Sequence, residues 1–216
     1  MDRDRGITEA FIRESNKIDP QYDITGEKLI PGAKPGDPMY DNTLNVINLF
    51  EEWNKEPITK GFILDIHRVL TKGIGFFENR AYSASGRYRD CNVYIGGEQC
   101  PHPVKAQQMI EDLISVIVFL QEQSKKHPGL YTEEEVHRLA WNIHNEFETA
   151  HPFIDGNGRT GRLLFNFIMY MFDSPFVVFY YYSRRYYYEI IREYKLNRDK
   201  ILQQYPNIGR KNKDIS

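Results

Sequence analysis

The chain has 216 residues, 41% hydrophobic and 27% charged, with a formal net charge of -2. That length supports one well-buried core with at most a small appendage, and the composition is globular rather than disordered. The charge balance gives no whole-protein drive toward nucleic acid, no apolar run is long enough to span a membrane, and Met1-Asp2-Arg3-Asp4-Arg5 is too charged to open a secretory signal, so a cytoplasmic location is expected.

The apolar periodicity is mostly helical. Ile7, Phe11 and Ile18 share one face of a short helix that should stop before Pro20, because proline pushes Asp19 out of the helical region. Gln21 to Pro38 is rich in glycine and proline and reads as a long loop. Val46, Phe50 and Trp53 mark a second helix, broken by Pro57. Thr59 is placed to cap a third, whose buried face is Phe62, Ile63, Ile66, Val69 and Leu70. Gly73 to Gly86 is irregular. Val93-Tyr94-Ile95 followed by Gly96-Gly97 predicts a β-hairpin, the one clear strand signal. Cys91 and Cys100 at its base read as free thiols, since no oxidising compartment or zinc-ligand spacing is indicated.

Met109, Leu113, Val116, Ile117 and Leu120 continue a long helix that ends near His127-Pro128-Gly129. Thr132 and Glu135 form a capping box, opening a helix whose face is Val136, Ala140, Ile143 and Phe147. Leu163, Leu164, Phe167, Ile168 and Met171 mark another, and a last helix is expected from about Arg184 to Lys195. There is no internal repeat.

Between two of these helices lies His151-Pro152-Phe153-Ile154-Asp155-Gly156-Asn157-Gly158-Arg159-Thr160-Gly161-Arg162. Pro152 ends the preceding helix and leaves His151 at its negative end, where the dipole favours imidazolium and the ring is placed to accept a proton. Gly156 and Gly158 let the backbone turn sharply and approach a ligand. The next helix begins around Asn157 to Arg159, so its unpaired amides favour an anion. Asp155 offers a hard oxygen suited to Mg²⁺, and Arg159 and Arg162 are spaced to clamp phosphate oxygens. Any one of these features alone is more often a turn or a solvated face. Within twelve residues, together, they point to a polyphosphate and a metal.

This segment resembles, position for position, the motif of the Fic family: His-Pro-Phe, an acidic residue, Gly-Asn-Gly-Arg, and a second Arg three residues on. Gly86-Arg87-Tyr88-Arg89, Val93-Tyr94-Ile95-Gly96 and Pro101-His102-Pro103 are similar to the family's flap and its exit. Arg185-Tyr186-Tyr187-Tyr188 with Ile190-Ile191 resembles the helix after the motif. The likeness covers roughly Ile7 to Tyr194. It implies a mainly α fold, a single Fic-type helical domain with a small β-hairpin flap next to the active site. The expected division is a candidate inhibitory N-terminal helix and loop over 1–38, a domain core over 39–205 and a flexible tail over 206–216.

The resemblance also implies a chemistry, in which AMP moves from ATP to a Ser, Thr or Tyr hydroxyl of a target protein and pyrophosphate leaves. Carried onto this chain, His151 is the general base and Asp155 holds Mg²⁺ between the α- and β-phosphates. Gly156, Asn157 and Gly158 cradle those phosphates, Arg159 contacts the chain of phosphates, and Arg162 holds the γ-phosphate. Tyr187 and Tyr188 fall where the family lines its adenine pocket, although in so tyrosine-rich a stretch core packing is the commoner explanation. A position that often carries Asn is Lys195 here. Val93, Tyr94 and Ile95 offer a strand edge to which an extended target segment could add. Ser15 and Asp19 match an inhibitory motif in which Glu pairs with the second arginine. Asp19 and Pro20 replace Glu and Gly, implying a weak partner for Arg162 and weak inhibition.

Self-modification is a further expectation of the resemblance. Alternatives that keep the fold are another donor, removal of AMP, or a nucleotide-binding interaction module without turnover. The intact Gly156-Asn157-Gly158 favours nucleotidyl transfer. Nine Lys or Arg against three acids from Arg184 to Lys213 read as a solvated helix face plus a frayed terminus rather than a nucleic-acid site.

Overall fold

The computed structural model describes residues 5–18, 21–22, 28–29, 34–74 and 84–204. In chain order these form α1 (Arg5–Ile18), β1 (Gln21–Tyr22), β2 (Lys28–Leu29), α2 (Pro38–Asn48), α3 (Phe50–Lys55), α4 (Phe62–Thr71), β3 (Tyr94–Ile95), β4 (Glu98–Gln99), α5 (Pro103–Lys126), α6 (Glu133–Ala150), α7 (Asn157–Met171), a 3₁₀ turn (Tyr181–Ser183) and α8 (Arg184–Gln204). The fold is mainly helical, as expected.

Helices α6 and α7 form the central pair. The capping box is present: the Thr132 amide donates to the Glu135 carboxylate at 2.8 Å, and the Glu135 amide donates to the Thr132 hydroxyl at 3.3 Å. Helix α7 is buried all round rather than on one face, because Leu163, Leu164, Phe165, Phe167 and Ile168 are all fully enclosed. Each such side chain contributes about 1.5–3 kcal/mol of burial. The N-terminus of α7, which ends the motif loop, is therefore anchored in the best-packed part of the molecule. Gly161 permits the close approach of α6, since a Cβ there would sit 2.6 Å from Glu148 Oε1 and 3.0 Å from the His144 ring.

Several expected boundaries shift. Asp37 caps α2 by accepting from the Met39 amide at 2.9 Å, with Pro38 at the first turn, so this helix starts well before Val46. The expected second helix is two, divided at Leu49. Thr59 does not cap α4 directly. Gly61 occupies that position, and Thr59 closes the turn before it by accepting from the Gly61 amide at 3.2 Å. The stretch read as a loop from Gln21 to Pro38 contains the antiparallel pair β1–β2, a second strand pairing that its composition does not signal. Helix α8 runs past Lys195 to Gln204, with Arg198 making two bonds to the buried Glu146 of α6, at 2.6 and 2.8 Å.

Candidate active site

The loop between α6 and α7 is held from several sides. His151 is the C-cap of α6, in the left-handed region at φ 45°, and its amide still donates to Phe147 O at 3.0 Å. That conformation costs a non-glycine residue roughly 1–2 kcal/mol, so the surroundings must enforce it. They do so at once. Arg89 Nε donates to His151 O at 2.7 Å, and the Arg89 amide donates to Pro152 O at 2.9 Å. Phe153 is fully buried, and the Asn157 carboxamide brackets its backbone by accepting from Phe153 N and donating to Phe153 O, both at 2.9 Å. The side chain of Asn157, expected among phosphates, thus pins the loop. Gly156 turns the chain into α7 at φ 79°, and any Cβ there would meet His67 Nε2 at 3.2 Å. Glycine is required on both counts.

The charged groups are carried on this frame. His151 is half-buried, with Nδ1 sealed from solvent. Asp155 is half-buried, and its Oδ1 accepts from the Gly156 amide at 2.6 Å. Arg159 is 2% exposed, with one terminal nitrogen against Gly156. Arg162 is fully buried, and α1 reaches it: Arg162 Nε donates to Ser15 Oγ at 2.9 Å and Nη2 donates to Ser15 O at 2.8 Å, while Nη1 donates to Tyr187 OH at 3.3 Å. Of the two expected regulatory residues, Ser15 therefore bonds the second motif arginine. Asp19 lies outside the described residues.

Two residues hold this site through bonds that the sequence does not signal, although Arg89 lies in the flap stretch Gly86-Arg87-Tyr88-Arg89. His67, on α4, is fully buried and stacks flat on Phe153, with centroids 3.8 Å apart. Its Nδ1 accepts from the Gly86 amide at 2.9 Å, which places the ring proton on Nε2, from where it is donated to Asp155 O at 3.0 Å. Burial pulls the His67 pKa down to about 4; the Arg159 and Arg68 charges act the same way, against the bond to Asp155. Arg89 is the second. Its Nη1 donates to Cys91 O at 2.8 Å and its Nη2 donates to Pro101 O and, at 3.4 Å, to Ala150 O. At the carbonyl end of α6, where His151 sits, this guanidinium also finds acceptors in Ala150 O and His151 O.

The hairpin is present where expected. Tyr94 pairs with Gln99 and Ile95 with Glu98, across Gly96 and Gly97 at φ 59° and 86°. Val93 O accepts from the Cys100 amide at 3.0 Å, and Tyr94 and Ile95 are exposed. Cys91 and Cys100 are free thiols. The two adenine candidates differ. Tyr187 is 6% exposed, its ring packed among Trp141, His144 and Phe179 and its hydroxyl sharing a 2.9 Å bond with His144 Nε2. It is a core residue here, with no open face for a base. Tyr188 is exposed, and its hydroxyl donates to Ile18 O at 3.3 Å.

The donor set suits Mg²⁺ held in part by its substrate. Among the described residues there is no cluster of three His, Cys, Asp or Glu able to cage a metal. Asp155 offers one carboxylate beside a helix start, and Mg²⁺ is commonly held by one or two carboxylates plus phosphate oxygens.

This helical frame carries a histidine-to-arginine loop between its central helices, and residues 57–169 match the Fic/DOC family. The chain belongs to that family. It is 29% identical over 153 residues to Protein adenylyltransferase Fic of Nematostella vectensis, covering 71% of this chain and 32% of that protein. It is 35% identical over 116 residues to Protein adenylyltransferase fic-1 of Caenorhabditis elegans, covering 54% of this chain and 20% of that protein. The chain thus spans about a third or less of these relatives' lengths. Its fold is shared with a Fic domain containing signaling protein of Bacteroides thetaiotaomicron, at a TM-score of 0.63 and 20% identity over 87% of this chain and 71% of that one. It is shared equally with C. elegans Fic-1, at a TM-score of 0.63 and 20% identity over 90% of this chain and 57% of that one. Among the described residues, no helix is long and apolar enough to cross a membrane.

Proposed function

We propose that the chain is a protein adenylyltransferase, moving AMP from ATP to a Ser, Thr or Tyr hydroxyl of a target protein. The observation that carries this reading is that His151, Asp155, the α7 start and two buried arginines lie within one loop fixed by His67, Asn157 and Arg89. In the reaction, the target hydroxyl oxygen bonds to the α-phosphorus as the bond from that phosphorus to pyrophosphate breaks. The electron pair leaves with pyrophosphate, and the hydroxyl proton passes to His151 at Nε2, because Nδ1 is buried. The first-turn amides of α7, with Gly156 and Gly158, receive the α- and β-phosphates, and Arg159 adds positive charge there. Mg²⁺, when bound, supplies charge neutralisation across those phosphates, with Asp155 as its protein ligand. Asn157 serves by fixing the loop. Tyr188 is the remaining aromatic candidate for the adenine, since Tyr187 is enclosed.

Arg162 is the arginine for the γ-phosphate, and Ser15 of α1 already occupies two of its donors. Helix α1 is accordingly the regulatory segment, and it must loosen before Arg162 can serve ATP. Two further contacts seat this helix: Glu14 accepts from the Tyr181 amide at 2.9 Å, and Ile18 O accepts from Tyr188.

The test is incubation with α-labelled ATP and Mg²⁺, the native chain against His151→Ala, followed by mass spectrometry of whatever is labelled, the chain itself included. A gain of AMP mass that depends on His151 is expected. Label retained in full by the variant would sink the mechanism. Label from γ- but not α-phosphate would turn the reading to another donor chemistry.

A further inference from the structure

We infer that Arg89 is a positioning residue that registers the flap against the general base. The inference rests on the adenylyltransferase reading. One guanidinium joins both legs of the hairpin, through Cys91 O before β3 and Pro101 O after β4, to the end of α6, through Ala150 O and His151 O. The Arg89 amide adds Pro152 O. Among the described residues, every hydrogen-bond acceptor of Arg89 is a main-chain carbonyl. The side chain is 4% exposed, and burial draws its pKa down, as expected for a cation held among dipoles rather than against a carboxylate.

The flap has little else to hold it in register. Its ladder is two residue pairs long, closed by the bond from the Cys100 amide to Val93 O, and Tyr94, Ile95, Glu98 and Gln99 are all exposed. A target segment laid along β3 would meet His151 at a distance set through Arg89. Reacting atoms must lie about 3–3.5 Å apart, and a misplacement of about 1 Å costs on the order of 10²-fold in rate. Lysine cannot substitute, because its three donors diverge from one atom, whereas the planar fork reaches carbonyls on separate segments. A clamp serving stability alone would affect nucleotide and target functions alike. This one spans the two segments whose spacing bears on the target hydroxyl, and its bonds to the motif loop end at Pro152, short of Gly156 and the α7 start assigned to phosphate.

The test compares the native full chain with Arg89→Ala and Arg89→Lys. Three quantities are read: initial rate of self-modification from α-labelled ATP, affinity for a non-hydrolysable ATP analogue by calorimetry, and amide hydrogen exchange over residues 91–101. In Arg89→Ala, transfer is expected to fall about 100-fold while analogue affinity changes by less than about three-fold. Flap amides should exchange faster, those of α6 and α7 unchanged. Added ethylguanidinium should restore part of the transfer in Arg89→Ala, and Arg89→Lys should stay low. Should Arg89→Ala be insoluble, Arg89→Lys carries the comparison, since it keeps the charge and loses the fork. Parallel loss of transfer and analogue binding, or unchanged flap exchange, overturns the inference. If the native chain transfers no label, the adenylyltransferase reading falls instead, and the exchange data still decide whether Arg89 holds the flap.

Discussion

Arg89 joins two regions built to opposite specifications. On one side is the loop His151–Arg162, where Phe153 and Arg162 are fully buried, Asn157 and Arg159 are 2% exposed, and the backbone of His151, Pro152 and Asp155 is bonded to α4, α6 or the flap entry. On the other is the hairpin Val93–Cys100, whose tip exposes Tyr94 at 64%. The groups read as handling a triphosphate sit on a frame that cannot adjust. Those read as meeting a target sit on an element with few internal contacts. A ligand of fixed shape rewards preorganisation, whereas a peptide of variable sequence is met by main-chain pairing and a local element of low stability.

The contrast can be tested by graded perturbation. The largest expected effect is from His151→Ala, which should lower AMP transfer by about 10²–10⁴-fold while leaving the thermal midpoint nearly unchanged. Acid should act next, through His67. Its pKa is held down to about 4, whereas the unfolded chain takes up that proton near 6.5. The stabilising contribution of the neutral ring is complete above pH 6.5 and is lost as pH falls through 4, amounting to about 3 kcal/mol. Urea midpoints between these limits should fall more steeply in the native chain than in His67→Gln.

Two glycines then offer a matched pair. Gly156 and Gly97 have similar left-handed backbones, at φ 79° and 86°, but only Gly156 has a neighbour within 4 Å of an added Cβ. Gly156→Ala should cost about 1–3 kcal/mol of global stability, read as a lower urea midpoint with unchanged slope. Gly97→Ala should cost about 1 kcal/mol locally, speeding exchange in the flap while the global midpoint holds. Equal global losses would erase the distinction between the regions. The smallest effect on stability is expected from Tyr94→Ser, within about 0.5 kcal/mol, with a raised half-saturating concentration of target as its functional mark.

The sequence was most legible where residue type and spacing carry the physics. The capping box at Thr132, the stop at Pro152, the glycine turn into α7 and the Gly96-Gly97 hairpin are all local, and all are found. The division at Leu49 and the β1–β2 pair were not legible, because neither carries a proline, a cap or an alternating pattern strong enough to mark it. Tyr187 and Tyr188 are adjacent and identical, so only tertiary packing could place one in the core and leave the other exposed. The bonds made by His67 and Arg89 escaped for a deeper reason. Their partners are main-chain atoms, some of them 62 and 88 residues away, and no side-chain pattern announces a carbonyl.

That last property constrains how the chain can change. Positions 91, 101, 150 and 151 can exchange one amino acid for another and still present the oxygen that Arg89 uses, since every residue brings a carbonyl. Position 89 has no such freedom, because no other side chain carries a planar fork of donors. The dependence therefore runs one way: no change at a partner position compensates for loss of the arginine, and hunting for reciprocal substitutions would pass over this contact altogether.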